Sequence, residues 1–217
     1  KSSAASDVYK RQDKIPTSYI NRIQERLFLR YFIGFLIRIK RYVRTWFICE
    51  YARSRGAVVG KNSIIPFKLA KKANDNLIIG NDVIIETDDI DLRSKVIISD
   101  NVIINRGVTI IRVSHFIDNC LTYDTKYYSD LVIEEYCWLA TNSVVLPSVK
   151  ILKKGTVLGA FSVLSKDSDN MGVYSGNPAV KMREHNSVFS DLVVSSLVGG
   201  DLLYYLCLLY TSPSPRD

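Results

Sequence analysis

Aliphatic residues recur at every sixth position through most of this chain. One series runs uninterrupted over the second half, with members Ile133, Leu139, Val145, Ile151, Val157 and Val163. An earlier series, in which Ile79 and Ile85 stand one residue out of phase, comprises Val59, Ile65, Ile79, Ile85, Leu92, Ile98, Ile104 and Ile110. Neither the 3.6-residue period of an α-helix nor the two-residue alternation of an amphipathic strand gives this spacing. The pattern indicates an internal repeat.

A six-residue period predicts a parallel β-helix, in which each hexapeptide supplies one strand and one turn and three hexapeptides complete a triangular coil. The aliphatic residue points inward and stacks on its equivalent one coil away, so apolar burial accumulates along the axis. The position four residues later tends to be small or aliphatic, as at Val83, Val102, Val108, Cys137, Ser143, Val149 and Gly155. The alternative, a β-sandwich, would show two-residue alternation. We therefore expect an all-β coil over residues 57–184.

The repeat is interrupted between Ile110 and Ile133, a gap one residue short of four hexapeptides. The middle of this gap, 118–130, is too polar and too aromatic to continue the coil. We predict an extruded loop over about 114–130, and loops on rigid scaffolds are where functional sites are commonly built.

Residues 18–51 have a helical pattern, with Ile23, Leu27, Tyr31 and Phe35 on one face. Residues 13–60 contain ten basic and three acidic residues, a local charge of +7. The longest charge-free run, 31–37, is far below the ~20 residues that span a bilayer. The helix packs against the protein body or a partner subunit, or it lies on an anionic membrane surface. No motif supports a nucleic-acid partner.

The two ends of the chain match translated sequencing adapters, so we expect 1–12 and 207–217 to be artefacts. The remaining chain divides into a basic helical segment (13–56), the coil (57–184) and a truncated C-terminal extension (185–206). Cys49, Cys120 and Cys137 show neither metal-ligand spacing nor a disulfide framework. This favours a reducing, cytoplasmic location, at the inner face of the membrane if the helix binds lipid.

Several motifs within 57–184 resemble those of the left-handed β-helix hexapeptide acyltransferases, in particular the maltose, galactoside and cell-surface polysaccharide O-acetyltransferase branch. They are IGNDV at 79–83, ISDNV at 98–102, CWLATNSVVLPSVKI at 137–151, GTVLGAFSVLSKD at 155–167 and GNPAVKMRE at 176–184. The resemblance implies a left-handed coil, a homotrimer, and acetyl-CoA as co-substrate in the groove between adjacent subunits.

Only His115 and His185 can act as a base near neutral pH. His115 stands where the repeat breaks, and the resemblance places the family's catalytic base at this Ser114-His115 pair. A loop histidine that merely bonds at a turn is the alternative. His185 lies in a polar stretch, and we expect it to be solvated. Two histidines are too few for a three-histidine zinc site, so no metal is predicted. Cys120 leaves a covalent Cys–His route open.

The resemblance also implies the residues that hold acetyl-CoA. Thr141 and Ala160 would line the pantetheine arm, Ser165 and Lys166 the nucleotide end, and Arg183 the phosphates, with Lys181 a possible substitute. Trp138 would form a wall of the site. Each also has an ordinary structural interpretation, because turns require small residues and surface cations are commonly solvated.

For the acceptor, Glu86 and Asp91 are candidates to bind sugar hydroxyls or to orient His115, and Tyr123 offers a surface for sugar rings. Arg93 occupies the position where relatives that acetylate free sugars carry Asp. We therefore predict an acetyl-CoA-dependent O-acetyltransferase acting on a sugar or polysaccharide precursor. The alternatives are an N-acetyltransferase of an amino sugar and a non-catalytic trimeric scaffold.

Overall fold

The structure is a computed structural model that describes residues 28–115 and 126–186. The described residues fall into two units, residues 28–44 and residues 45–186. Helix α1 covers Phe28–Ser54 and ends three residues beyond its predicted end. Residues 18–27 of that prediction lie outside the described residues. Among the residues that are described, no helix is long and apolar enough to cross a membrane.

Sixteen short strands build the unit that contains residues 45–186. They are β1 (Val58–Val59), β2 (Leu77–Ile79), β3 (Ile84–Ile85), β4 (Val96–Ile98), β5 (Ile103–Ile104), β6 (Thr109–Ile110), β7 (Val113–His115), β8 (Lys126–Tyr128), β9 (Leu131–Ile133), β10 (Trp138–Leu139), β11 (Val144–Val145), β12 (Ile151–Leu152), β13 (Val157–Leu158), β14 (Val163–Leu164), β15 (Gly172–Gly176) and β16 (Ala179–Glu184). Sheet 1 has the order β1-β2-β4-β9-β12, sheet 2 the order β3-β5-β10-β13-β15-β16, and sheet 3 the order β6-β11-β14.

The chain visits the three sheets in rotation, and the strands of successive turns pair in parallel. In sheet 1 the inward side chains of Ile79, Ile98, Ile133 and Leu152 stack in one file. All of them are almost completely buried, and each such side chain stabilises the fold by about 1.5–3 kcal/mol. The predicted stack of parallel strands is confirmed. Only β16 is antiparallel to its neighbour in these sheets.

The predicted inward register is wrong over the last three hexapeptides. Ile151, Val157 and Val163 are only half-buried, and the residue after each, Leu152, Leu158 or Leu164, points into the core instead. The corner between β11 and β12 has one residue more than the repeat requires, so the seventh residue after Val145 returns to the core. The small or aliphatic positions from Val83 to Gly155 are all buried.

Residues in the left-handed backbone region occur at two of the three edges of the coil, where the chain passes from sheet 1 to sheet 2 and from sheet 2 to sheet 3. Asn101 (φ 60°) donates its amide to the Asn81 carbonyl at 2.9 Å, one coil away. At the next corner, Phe161 (φ 57°) donates in the same way to Thr141 at 3.1 Å. Gly155 (φ 70°) occupies such a position, and a Cβ there would lie 2.3 Å from Met171 Sδ. These corners turn the chain while their amides stay bonded.

The third side of the first coil is a helix, which the repeat did not predict. Helix α2 (Phe67–Lys72) follows Pro66 and buries Leu69 and Ala70 completely. Proline suits a helix start because its ring fixes φ and it lacks an amide hydrogen. Cys49 and Ala52, near the end of α1, are buried in the same core.

The interruption of the repeat is a protrusion whose base is an antiparallel ladder. Strand β7 pairs with β8 through Val113↔Tyr128, Ser114↔Tyr127 and His115↔Lys126. Residues 116–125, including Cys120 and Tyr123, lie outside the described residues. Partners across the protrusion are separated by the same number of residues in all three sheets, as in Ile98↔Ile133, Ile104↔Leu139 and Ile110↔Val145.

Candidate active site

His115 is the last residue of β7 and is half-buried. The ladder with β8 holds its backbone in an extended conformation, and the side chain stands on the protrusion outside the packed coil. A partly exposed imidazole on a hydrogen-bonded strand is accessible to a substrate and constrained in direction, as a general base must be.

Both ends of the protrusion are fastened to the coil. At the first end, the buried Arg112 donates Nη1 to the Val149 carbonyl at 2.7 Å. At the second end, Asp130 Oδ1 accepts bonds from Ser94 Oγ at 2.5 Å and from the Lys95 amide at 3.0 Å. The Ser94 hydroxyl and the Lys95 amide hold the pKa of Asp130 below its usual range. Neither Arg112 nor Asp130 belongs to a motif or pattern that predicts this role from the sequence.

A cleft of about 750 Å³ lies beside the base of the protrusion. Tyr128 of β8 lines it, and this residue pairs with Val113 on the strand of His115. The other lining residues are Lys72, Asn74, Asn76, Asp89, Ile90, Asp91, Leu92, Arg93, Thr109, Ile110 and Ile111. The cleft therefore combines carboxylates, amides, cations and one aromatic ring, which are the groups that bind saccharides.

Asp91 is the most constrained carboxylate of this cleft. Its Oδ1 accepts from Arg93 Nε at 2.8 Å, and its Oδ2 accepts from Arg93 Nη2 at 2.8 Å and from the Arg112 amide at 3.2 Å. The bonds from the Arg93 guanidinium hold the pKa of Asp91 below its usual range, although partial burial acts in the opposite direction. Of the predicted acceptor residues, Asp91 lines the cleft and the exposed Glu86 does not. Tyr123 is outside the described residues.

The predicted acetyl-CoA residues fall on the two edges of sheet 3. Thr141 and the position one coil above it, Ala160, are both exposed at the corner that leads into sheet 3. Ser165 and Lys166 lie at the corner that leads out of it, as does the protrusion. Ser148 Oγ donates to the Ser165 carbonyl at 2.7 Å and links these corners. Within one chain, the structure does not bring the two groups together.

Trp138, Arg183 and Lys181 lie on sheet 2. Trp138 is 46% exposed on the outer face of β10, and Arg183 is exposed on β16. Lys181 Nζ forms ion pairs with Glu184 at 2.6 Å and Asp169 at 3.0 Å. These carboxylates raise the pKa of Lys181, and phosphate would have to compete with them.

The expectation of a solvated His185 is wrong. This residue is half-buried, its Nε2 lies 2.6 Å from the Gly155 carbonyl, and its amide donates to the Met171 carbonyl at 3.0 Å. The ring joins the end of β16 to a coil corner. Its role in the structure is therefore to fasten the C-terminal strand.

The two described cysteines are both buried. Burial raises the pKa of Cys137 to about 12 and also raises that of Cys49. Neither is a thiolate near neutral pH, so neither is an effective nucleophile. Across 28–115 and 126–186, no cluster of three or more metal-ligating side chains occurs.

No family model matches the chain. Its sequence is 35% identical to the putative colanic acid biosynthesis acetyltransferase WcaF of Escherichia coli over 137 residues, which are 59% of this chain and 70% of that protein. It is also 31% identical to the galactoside O-acetyltransferase of Lactococcus lactis over 128 residues, 58% of this chain and 55% of that protein.

Solved structures agree in fold. A galactoside acetyltransferase in complex with coenzyme A gives a TM-score of 0.50 at 21% identity, over 69% of this chain and 82% of that one. A hexapeptide-repeat acetyltransferase of Vibrio cholerae O1 biovar eltor, complexed with acetyl coenzyme A, also gives a TM-score of 0.50 at 21% identity. The match covers 63% of this chain and 75% of that one. With the sequence match to WcaF, these findings show that the chain belongs to the hexapeptide-repeat acetyltransferases.

Proposed function

We propose that this chain transfers the acetyl group of acetyl-CoA to a hydroxyl of a saccharide, with His115 as the general base. One observation carries the proposal: β7 ends in His115 and pairs directly with β8, whose Tyr128 lines the polar cleft. The base and a saccharide-sized cleft therefore share one hydrogen-bonded ladder. The putative colanic acid and the galactoside acetyltransferases are relatives whose names place their acceptors among saccharides.

The reaction follows from the chemistry of these groups. His115 removes the proton of the acceptor hydroxyl as its oxygen attacks the thioester carbonyl. A backbone N–H of the facing coil stabilises the tetrahedral oxyanion, and the CoA thiolate leaves and takes the proton from the imidazolium. The high pKa of Cys137 argues against an acyl-enzyme at that residue, which favours direct transfer.

Placement of the acetyl-CoA residues supports a homotrimer, whose coils we propose to be left-handed from the family resemblance. Thr141 and Ala160 lie on one edge of sheet 3, and His115 with Ser165 lies on the other. A single chain would hold two half-sites. If the first edge of one subunit faces the second edge of its neighbour, each groove between subunits contains a complete site, with Trp138, Lys166, Lys181 and Arg183 as further candidates for the donor.

We further propose that the enzyme is cytoplasmic and contacts the inner face of the membrane through residues 18–51. On the described part of α1, Phe32, Leu36 and Phe47 are exposed on one face, and Lys40 and Arg44 are exposed beside them. Exposed aromatic residues beside cations suit an anionic lipid surface. Such a position would bring the enzyme to membrane-linked saccharide precursors.

The test is turnover of the full chain with acetyl-CoA and methyl β-galactoside, followed by release of the CoA thiol. His115→Ala is expected to lower kcat by roughly 10²- to 10⁴-fold because the base is lost. His185→Ala is the matched control, since it removes the only other histidine, and it should retain activity. A wild-type rate in His115→Ala would refute the proposal. Transfer to glucosamine nitrogen in preference to any hydroxyl would assign the acceptor to amines.

A further inference from the structure

Arg112 is the only charged residue that is buried in the described part of the chain. It follows β6 and precedes β7, at the point where the coil is interrupted. Its side chain is completely shielded from solvent, and this desolvation lowers the pKa of its guanidinium to about 10. The group is therefore still a cation at neutral pH. A buried cation is unfavourable unless its hydrogen bonds are satisfied.

The two terminal nitrogens of the guanidinium donate to carbonyl groups, and within the described chain the group forms no ion pair. Nη1 donates to the Val149 carbonyl at 2.7 Å, and Nη2 donates to the Leu146 carbonyl. These carbonyls bracket the corner between β11 and β12, where the repeat carries its extra residue. The planar fork of arginine can reach both carbonyls at once, whereas the single ammonium of lysine cannot hold that geometry. In the described chain, Nε has no hydrogen-bond partner.

The same residue also holds the returning strand of the protrusion. Nη1 lies 3.4 Å from Ser129 Oγ, and the Arg112 carbonyl accepts from the Ser129 amide at 3.1 Å. Ser129 Oγ donates in turn to the Pro147 carbonyl. On the opposite side, the Arg112 amide donates to Asp91 in the cleft. Arg112 thus joins the cleft, the base of the protrusion and the coil above it.

We propose that Arg112 is the positioning residue for His115. The inference rests on the proposed role of His115 as the base, which stands three residues further along the same extended strand. Because β7 is held at its base by Arg112 and along its length by β8, rotation of the Arg112 peptide would carry the imidazole with it. Misplacement of a catalytic group by about 1 Å can reduce turnover 10²-fold.

The test compares Arg112→Lys, which keeps the charge, with Arg112→Met, which keeps a similar length without donors. Ile79→Ala is the control, since it removes buried atoms from sheet 1 away from the protrusion. We expect Arg112→Lys to lower kcat for methyl β-galactoside by roughly 10- to 100-fold, with an unchanged KM for acetyl-CoA. In a His115→Ala background it should cause no further loss, because the two residues act as one unit.

A second readout needs no acceptor. The chain contains two histidines, so selective ¹³C labelling of histidine gives two imidazole signals, which His115→Ala and His185→Ala assign. Arg112→Lys and Arg112→Met should shift or broaden the His115 signal and leave that of His185 in place, while Ile79→Ala should move neither.

The outcomes separate the two proposals. A wild-type rate in His115→Ala refutes the proposed function. A strongly impaired His115→Ala together with an unmoved His115 signal and a wild-type rate in Arg112→Lys overturns the positioning role alone. An equal further loss in the His115→Ala background would make Arg112 a stabilising residue only, and would overturn it too.

Discussion

Single residues of the site carry several roles at once, and Asp91 is the clearest case. Its carboxylate lines the cleft, pairs with Arg93 and accepts the amide of Arg112 at the base of the protrusion. A sugar hydroxyl that binds Asp91 would therefore bind a carboxylate that is hydrogen-bonded to the backbone leading into the strand of His115. The break in the repeat and the family resemblance made His115 a candidate, and the resemblance alone made Asp91 one. In the sequence Arg112 cannot be told from a surface cation, because its carbonyl partners lie 34 and 37 residues further along the chain.

Asp91→Asn is expected to make the free energy of unfolding less dependent on pH in the acidic range. The hydrogen bonds from Arg93 depress the pKa of Asp91 in the folded state, so its stabilising contribution is present above the unfolded value of ~3.9 and is lost as pH falls through the lower folded value. The variant should be less stable than the wild type at pH 7, and the difference should shrink towards pH 3. Urea unfolding across this range measures it. Asp88→Asn is the control, and an equal response there would contradict the assignment.

At the scale of elements, the six-residue pattern predicted the strands but could not settle which of two neighbours points inward. β12, β13 and β14 each contain two consecutive aliphatic residues, so either register satisfies the sequence. The choice depends on the extra residue in the corner between β11 and β12. Whether a corner accommodates an extra residue is decided by its backbone conformation, which the hydrophobic pattern does not show. Helix α2 was missed because it buries only Leu69 and Ala70, too few residues for a helical pattern.

The corner at Phe161 offers a test of backbone strain. Phe161 has φ 57° and a side chain that is 72% exposed, so it combines an unfavourable conformation with little burial. Asparagine tolerates this region better, and Phe161→Asn is expected to stabilise the protein by about 0.5–1 kcal/mol. Thermal unfolding should show a rise in Tm of roughly 1–4 °C. Phe161→Leu keeps the strain and should show no gain; an equal rise in both variants would count against the explanation.

At the scale of the whole molecule, the division of the candidate residues between two edges of sheet 3 makes a prediction about assembly. In a trimer with composite sites, His115 of one subunit would act on acetyl-CoA held beside Ala160 of the next. His115→Ala and Ala160→Trp chains should each be inactive alone. Mixed trimers would contain some grooves with both wild-type halves, at about one quarter of the sites for random mixing.

The measurement is activity after the two inactive variants are unfolded together and refolded, compared with each refolded separately. Recovery of about a quarter of the wild-type rate is the expected result. No recovery, with wild-type chains refolding normally under the same conditions, would place the complete site within one chain. Light scattering on the same samples gives the number of subunits.

The equal spacing across the protrusion means that the protrusion can change in length without changing the coil. Partners across it differ by 35 positions in every sheet, whereas neighbouring coils elsewhere mostly differ by 19, as in Ile79↔Ile98, Ile85↔Ile104 and Val145↔Leu164. Residues can therefore be gained or lost between Arg112 and Asp130 without shifting any inward side chain of the coil. Selection can remodel the segment that carries the proposed base while the coil is inherited unchanged.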